Sequence, residues 1–314
     1  MKRIIVTGSN GQIGVELVPY LRSIYGPENV LATARRKLAG SVFEGGPFAL
    51  LDVREGKTFS EILDSFKADT VIHLAGVLSA KGEADPLTSW DINVCGSCTA
   101  LEVAREHGAA FFFPSSIAAF GPSTPPKNTP QDTLQRPTTV YGVAKVTMEL
   151  LCDYYHKKFG MDTRGLRFPG LISYEALPGG GTTDYAVHIY YDAIKKGSYT
   201  SFIAPGTYMD MMYMPDALAA VVQLMEADPA KLVHRNAFNI SAMSFEPEQI
   251  AASIRKVLPE FTIDYDVDPL RQGIAESWPD SLDCSAAREE WGFAPKYDLD
   301  RMTQDMLARL KAQN

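Results

Sequence analysis

Cysteine is scarce in this chain, four residues in 314, which excludes a disulfide-stapled scaffold. Only Cys95 and Cys98 lie close together, as a C-x-x-C inside WDINVCGSCTALEVAREHG. That stretch has helical periodicity, no second cysteine pair and no histidine at ligand spacing, so the two read as reduced packing residues and no metal site is expected. Basic charge is in deficit as well, 30 Lys and Arg against 38 Asp and Glu for a formal net charge of -8. Its basic runs are no longer than Arg35-Arg36-Lys37, so no nucleic-acid footprint is present. Long apolar runs are missing too. Nothing reaches bilayer length, and Arg3-Ile4-Ile5-Val6 before Gly8 is too short for a signal segment, so no membrane partner is expected and the chain reads as cytoplasmic. Internal repeats and low-complexity tracts are absent.

What the chain does contain is enough apolar residues, 46%, to bury a large core. Strand-like RIIVTG, VLATA, TVIHLAG, AAFFFPSS and TRGLRFPG alternate with helical QIGVELVPYLRSIY, FSEILDSF, Leu87 to His107 and Val140 to Lys158. Alternating βα units with apolar strands predict an α/β fold, a doubly wound parallel sheet of Rossmann type covered by helices on both faces. After Gly170 the alternation fails, and Pro178-Gly179-Gly180-Gly181 breaks the chain. We expect a dinucleotide-binding domain over residues 1–172 and a smaller, mainly substrate-binding C-terminal lobe over 173–314, with the segment 213–228 returning to the main sheet.

The first strand runs into Gly8-Ser9-Asn10-Gly11-Gln12-Ile13-Gly14, a G-x-x-G-x-x-G that opens a helix. Gly8 suits the tight turn, Gly11 the approach of a pyrophosphate, and Gly14 close helix packing, with helix N–H groups facing the phosphates. A carboxylate at the end of the second strand normally holds the ribose 2′-hydroxyl, yet this chain has Thr33-Ala34-Arg35-Arg36 there. NAD is the expected cofactor, its ribose held by Thr33 or backbone. NADP is an open alternative, with the arginines taking a 2′-phosphate. Asp52, after the third strand, can reach the adenine amino group or cap the next helix.

Tyr141 and Lys145 are four residues apart on one helix, hence on one face. An ammonium beside a phenol favours the phenolate, which gives a base at working pH, and it can also anchor the nicotinamide ribose. Ser115 and Ser116 fall at the carboxyl end of a strand, where ligands sit in such sheets, and Asn93 lies on the middle helix. These residues resemble the extended short-chain dehydrogenase/reductase superfamily, relatives of UDP-galactose 4-epimerase, over essentially the whole chain. The family's spacing of serine to tyrosine implies Ser116 as the active serine and Ser115 as secondary. The expected catalytic set is therefore Tyr141, Lys145 and Ser116. The expected cofactor set joins Tyr141 and Lys145 to Gly8, Gly11, Gln12, Ile13, Gly14, Thr33, Arg35, Asp52, Val53, Leu74, Ala75, Gly76, Asn93 and Phe168.

HLAGVLSAKGE, SSIAAFGP, LPGGGTTDYAV, APGTYMDMMYMPDAL and SWPDSLDCSAAREEWGF are similar to segments of the short-chain-type L-threonine 3-dehydrogenases. That resemblance implies oxidation of L-threonine at its Cβ hydroxyl to 2-amino-3-oxobutyrate, in a pocket bordered by Ser79 and Trp278. Gly181, Thr182 and Thr183 lead into the helical stretch Tyr185 to Lys196, so amides and hydroxyls there suit a small carboxylate, with Thr183 the leading contact. Thr182, Thr183 and Asp184 also suit simple helix capping. A nucleotide-sugar epimerase or dehydratase would share the first half, and a non-catalytic dinucleotide sensor is the reading from another class. The resemblance also implies a homodimer formed through the tyrosine helix and the long helix before it; Leu150, Leu151, Tyr154 and Tyr155 offer apolar surface that suits either an interface or the internal core.

Overall fold

The computed structural model describes residues 1–38, 41–175 and 179–313, without the side chains of residues 41, 43 and 80. Pro178, part of the break named above, lies outside the described residues. The strands are β1 Ile4–Thr7, β2 Val30–Ala34, β3 Phe48–Leu50, β4 Thr70–His73, β5 Ala110–Ser116, β6 Thr163–Phe168, β7 Gly170–Ile172, β8 Ser198–Ser201, β9 Met209–Tyr213, β10 Phe238–Asn239, β11 Met243–Phe245 and β12 Thr262–Tyr265. The helices of the first half are α1 Gln12–Tyr25, α2 Ser41–Glu44, α3 Gly56–Phe66, α4 Ser79–Ala84, α5 Pro86–Trp90, α6 Ser97–Glu106 and α7 Val140–Phe159. Those of the second half are α8 Tyr185–Lys196, α9 Met214–Glu226, α10 Pro247–Arg255, α11 Pro269–Glu276, α12 Ser285–Trp291 and α13 Leu299–Gln313. Every strand and helix read from the first half of the sequence forms, with small shifts at the ends.

Seven strands make one sheet in the order β10-β6-β5-β4-β1-β2-β3, and all its pairings are parallel. The fold is the expected doubly wound α/β Rossmann type. Strand order reverses between β1 and β4, which is where ligands bind in open sheets of this kind. The apolar, β-branched strand sequences follow from cover on both faces: every residue of β1, β2, β4 and β6 is buried. One face packs Leu17, Leu21, Val221, Leu224 and Ala287 over Ile4, Val6 and Phe112; the other packs Phe59, Leu63, Leu101 and Met148 over Ile5, Val71 and Phe111.

Helix α9 lies against α1 and β6. The guanidinium of Arg164 on β6 closes the helix end by donating to the carbonyls of Leu224 and Ala227 at 2.6 and 2.8 Å, meeting its orphan acceptors. The chain then adds β10 beside β6. Two residues are too few to show a strand period, and this strand is held by tertiary contacts, with Gln131 accepting from the Asn239 amide and donating to the Ala237 carbonyl. A separate apolar core gathers around Tyr185, Tyr190, Met211, Ile250 and Met306. Among the described residues no helix is long and apolar enough to cross a membrane.

Candidate active site

Strand β1 ends in Gly8, whose φ of +68° belongs to the left-handed region and whose position leaves no space for a side chain: a Cβ there would stand 2.6 Å from the Ala75 amide. This close approach brings the ends of β1 and β4 together. Helix α1 begins at Gln12 with no side chain capping it, so its first amides keep their donors for a ligand. Gly11 is exposed at this opening. A cavity of about 590 Å³ lies here, lined by Gly8, Asn10, Gly11, Ala34, Arg35, Asp52 and Val53 and by Leu74 to Val77 from the other side. Its size, the uncapped helix end and the bare backbone at Gly11 fit a dinucleotide.

The far wall depends on one irregularity. Between α5 and α6 the helix passes through a π-turn, Asp91–Gly96, a feature common where helices meet functional sites. It presents Ile92 to the cavity and turns Asn93 onto the β4 loop. There the Asn93 side chain accepts from the Val77 amide at 2.7 Å and donates to its carbonyl at 3.0 Å. His73 braces the same region, bridging Thr7 Oγ1 and Ser97 Oγ at 3.0 Å each. Burial pushes its imidazole down to about 3, so the ring is neutral. Sequence reasoning passed over His73, Val77 and Ile92, whose roles arise only from the packing of distant segments.

Helix α7 starts with Thr139 accepting from the Gly142 amide at 3.0 Å, an N-cap bond. Tyr141, Lys145 and Glu149 follow at intervals of four and share one face. Lys145 Nζ donates to the Pro114 carbonyl at 2.5 Å and stands 4.6 Å from the Phe113 ring centre and 5.2 Å from that of Tyr141. Glu149 is buried. It accepts from Ser115, from Gln135 at 2.8 Å, and from the Arg167 guanidinium at 3.1 and 2.8 Å. Ser115 is thus turned inward. Ser116 accepts from the Ala118 amide at 3.2 Å and is the hydrogen-bonding hydroxyl at Tyr141.

The electrostatics differ from the sequence expectation. Burial pushes the Tyr141 phenol up to about 12, with the Ser116 hydroxyl pulling it down; burial likewise brings Lys145 down to about 8, opposed by Glu149. Desolvation of the charged form is the largest influence on each of the two groups.

On the substrate side, the Asp184 carboxylate accepts from the Gly180 and Gly181 amides at 2.9 and 2.5 Å. Those two amides are therefore not the carboxylate cradle expected from the sequence. Thr182 is buried and its hydroxyl has no partner among the described residues, while Thr183 packs on Gly170, where a Cβ would stand 2.7 Å from its methyl group. The loop approaches the cofactor side through Gly179, which faces Leu78, next to buried Ser79 at the start of α4. Trp278 is half-buried and packs on the core that Leu17, Val221 and Ala287 share. Its segment is tied down by Asp280, whose amide donates to Pro126 at 2.7 Å, and by Leu282, whose amide donates to Asp210 at 2.7 Å.

Arg35, Asp52, Val53, Leu74, Ala75 and Gly76 line the cavity as expected residues, and Asn10, Ala34 and Arg36 join them. Others have surroundings of their own. The Thr33 hydroxyl is fully buried and donates to the Val6 carbonyl at 3.1 Å, so it cannot hold a ribose. Phe168 is a core residue, edge-on to Phe112. Asn93 acts through Val77, because its donors and acceptor are already engaged. Ile13 packs into the core. Gln12 offers a buried amide nitrogen without a partner. Asp52 lines the cavity and does not cap α3: Arg54 donates to it at 3.0 and 2.7 Å and holds it down at about 2.

A glycine turn at the switch point of a parallel sheet, together with a Ser116, Tyr141 and Lys145 cluster on the next strand end and helix, defines a nicotinamide-dinucleotide enzyme of the extended short-chain dehydrogenase/reductase type. The chain belongs to the NAD dependent epimerase/dehydratase family, whose sequence model matches residues 4–241. It is 59% identical over 317 residues to an uncharacterized epimerase/dehydratase of Staphylococcus haemolyticus, covering 100% of both chains. Among solved structures it is similar to an L-threonine dehydrogenase from Clostridium difficile, at 59% identity and TM-score 0.98, covering 100% of this chain and 98% of that one. It is also similar to the L-threonine dehydrogenase of Phytophthora infestans, at 47% identity and TM-score 0.96 with 100% of both chains covered.

Proposed function

We propose that this enzyme oxidises L-threonine at its Cβ hydroxyl to 2-amino-3-oxobutyrate. The observation that carries the reading is full-length likeness, second lobe included, to an L-threonine dehydrogenase at 59% identity. The loop at 179–184 supports it, because its charged side chain is Asp184 and it offers no cation to a sugar diphosphate.

A bound nicotinamide dinucleotide supplies the hydride acceptor. The protein's residues position the alcohol and move its proton. Ser116 donates to the substrate oxygen, and the Tyr141 phenolate takes the hydroxyl proton as that oxygen becomes a carbonyl and the Cβ hydrogen departs as hydride. Lys145, as an ammonium, favours the phenolate and anchors the ribose. The buried, unpartnered Thr182 hydroxyl offers a donor on the substrate side, and Trp278 helps to exclude water. The test is to give the purified chain an oxidised dinucleotide with either L-threonine or a UDP-sugar. Reduction of the dinucleotide with threonine alone supports the reading; turnover of the nucleotide sugar alone overturns it.

The same reading includes a homodimer. Val143, Leu150 and Tyr154 lie exposed along α7, and Leu87 and Trp90 are exposed on the neighbouring α5, an apolar surface suited to a second copy. Leu151 and Tyr155, also named for this surface, instead pack into the first domain's core.

A further inference from the structure

The end of β2 carries a pair of exposed cations, of which Arg35 lies near enough to Asp52 to help Arg54 hold that carboxyl down. Ala34 lines the cavity where a carboxylate would hold a ribose hydroxyl, and Arg35 and Arg36, both exposed, line it next. The remaining charged lining residue is Asp52, which is held by Arg54; Arg54 also donates to Asp91 at 2.8 Å. Charge is therefore balanced around Arg54. Among the described residues no carboxylate lies within ion-pair distance of Arg35 or Arg36. Their backbone is fixed, since the Asn10 side chain donates to the Arg36 carbonyl at 3.0 Å. The Asn10 amide oxygen is buried without a partner beside the same cavity.

We propose that this site takes the 2′-phosphorylated dinucleotide, NADP, with Arg35 and Arg36 clamping its 2′-phosphate. The inference rests on the reading of the cavity as a dinucleotide site and specifies which dinucleotide fills it. A guanidinium presents a planar fork of donors that matches phosphate oxygens, so two of them on a fixed strand end form a phosphate clamp. A dianionic phosphate near a bare Asp52 would be repelled, and Arg54 removes that repulsion. With NAD bound, by contrast, the 2′-hydroxyl meets no carboxylate and the arginines gain no partner. Because both side chains are exposed, salt screens the attraction.

The test is calorimetric titration of the full-length protein, without any alcohol substrate, with NADP, NAD and the fragments 2′,5′-ADP and 5′-AMP. The expected result is NADP bound at least about tenfold more tightly than NAD, with the same order for the fragments and a preference that shrinks with added salt. Joint replacement by Arg35→Ala and Arg36→Ala lowers NADP affinity about 10- to 100-fold and leaves NAD within a few-fold. Ala34→Asp shifts preference toward NAD. Equal or tighter binding of NAD by the unaltered protein, or an arginine replacement that weakens both dinucleotides alike through lost stacking on adenine, overturns the phosphate assignment and leaves the dinucleotide site standing. Failure of both dinucleotides to bind overturns the site and the clamp together.

Discussion

The Ala118 carbonyl lies so close to Gly142 that a Cβ on residue 142 would stand 2.2 Å from it. This contact seats the first turn of α7 on the turn after β5, and so sets Tyr141 beside Ser116. Gly142→Ala should force the helix outward at a cost of about 1–3 kcal/mol. A displacement of the phenol by about 1 Å should lower turnover on the order of 100-fold. Thermal unfolding and steady-state kinetics measure the two effects separately.

Burial pushes the Lys145 ammonium down to about 8. Dinucleotide affinity should therefore fall as pH rises through that value, when the ammonium proposed to anchor the ribose becomes neutral. Glu149 pushes the lysine upward, so Glu149→Gln should move the fall to lower pH, whereas Lys145→Met should remove it. Titration of dinucleotide binding across about pH 6 to about 10 reads the midpoint directly.

Much of this site is legible in the sequence. The glycine motif, the strand end at Pro114-Ser115-Ser116 and the Tyr141-Lys145 spacing each carry a local signal, because a turn, a strand terminus and a helix face are set by neighbouring residues. Other parts depend on contacts between distant segments and leave no periodic trace. Asn93 reads as a cofactor ligand until the π-turn carries it onto Val77. Thr33 looks available at a strand end, yet the Val6 carbonyl across the sheet takes its hydroxyl. Asp184 belongs to a plausible helix cap, and only its fold back onto Gly180 and Gly181 shows that those amides are engaged. Strand β10 is too short to announce itself. The phenol's environment is equally hidden, since burial is a property of the assembled fold.

Asp210 is buried between Ser241 and the Leu282 amide, and burial pushes its carboxyl up to about 7 from 3.8. A raised acid stabilises the fold fully below its unfolded value, and the contribution is lost as pH climbs through the folded one. Wild-type stability should therefore decline between about pH 4 and about pH 7 relative to Asp210→Asn, which does not ionise, accepts from the Leu282 amide and donates to the Ser241 hydroxyl. The difference in Tm should change by on the order of a few degrees over that interval. Thermal scans at a series of pH values check the sign.

The exposed side chains of α7 carry the assembly expectation. Leu150 is 61% and Tyr154 51% exposed, so Leu150→Glu with Tyr154→Glu should leave the fold intact and convert a dimer to a monomer. Sedimentation velocity of both proteins decides it; a monomeric wild type would remove the proposed dimer.

The central claim is that the Tyr141 phenolate takes the proton from the substrate hydroxyl. The most direct measurement is kcat for L-threonine oxidation by Tyr141→Phe, alongside the Kd of the dinucleotide. The account predicts a fall of about 10²- to 10⁴-fold in kcat with dinucleotide affinity nearly unchanged. Retention of most of the wild-type kcat would contradict it.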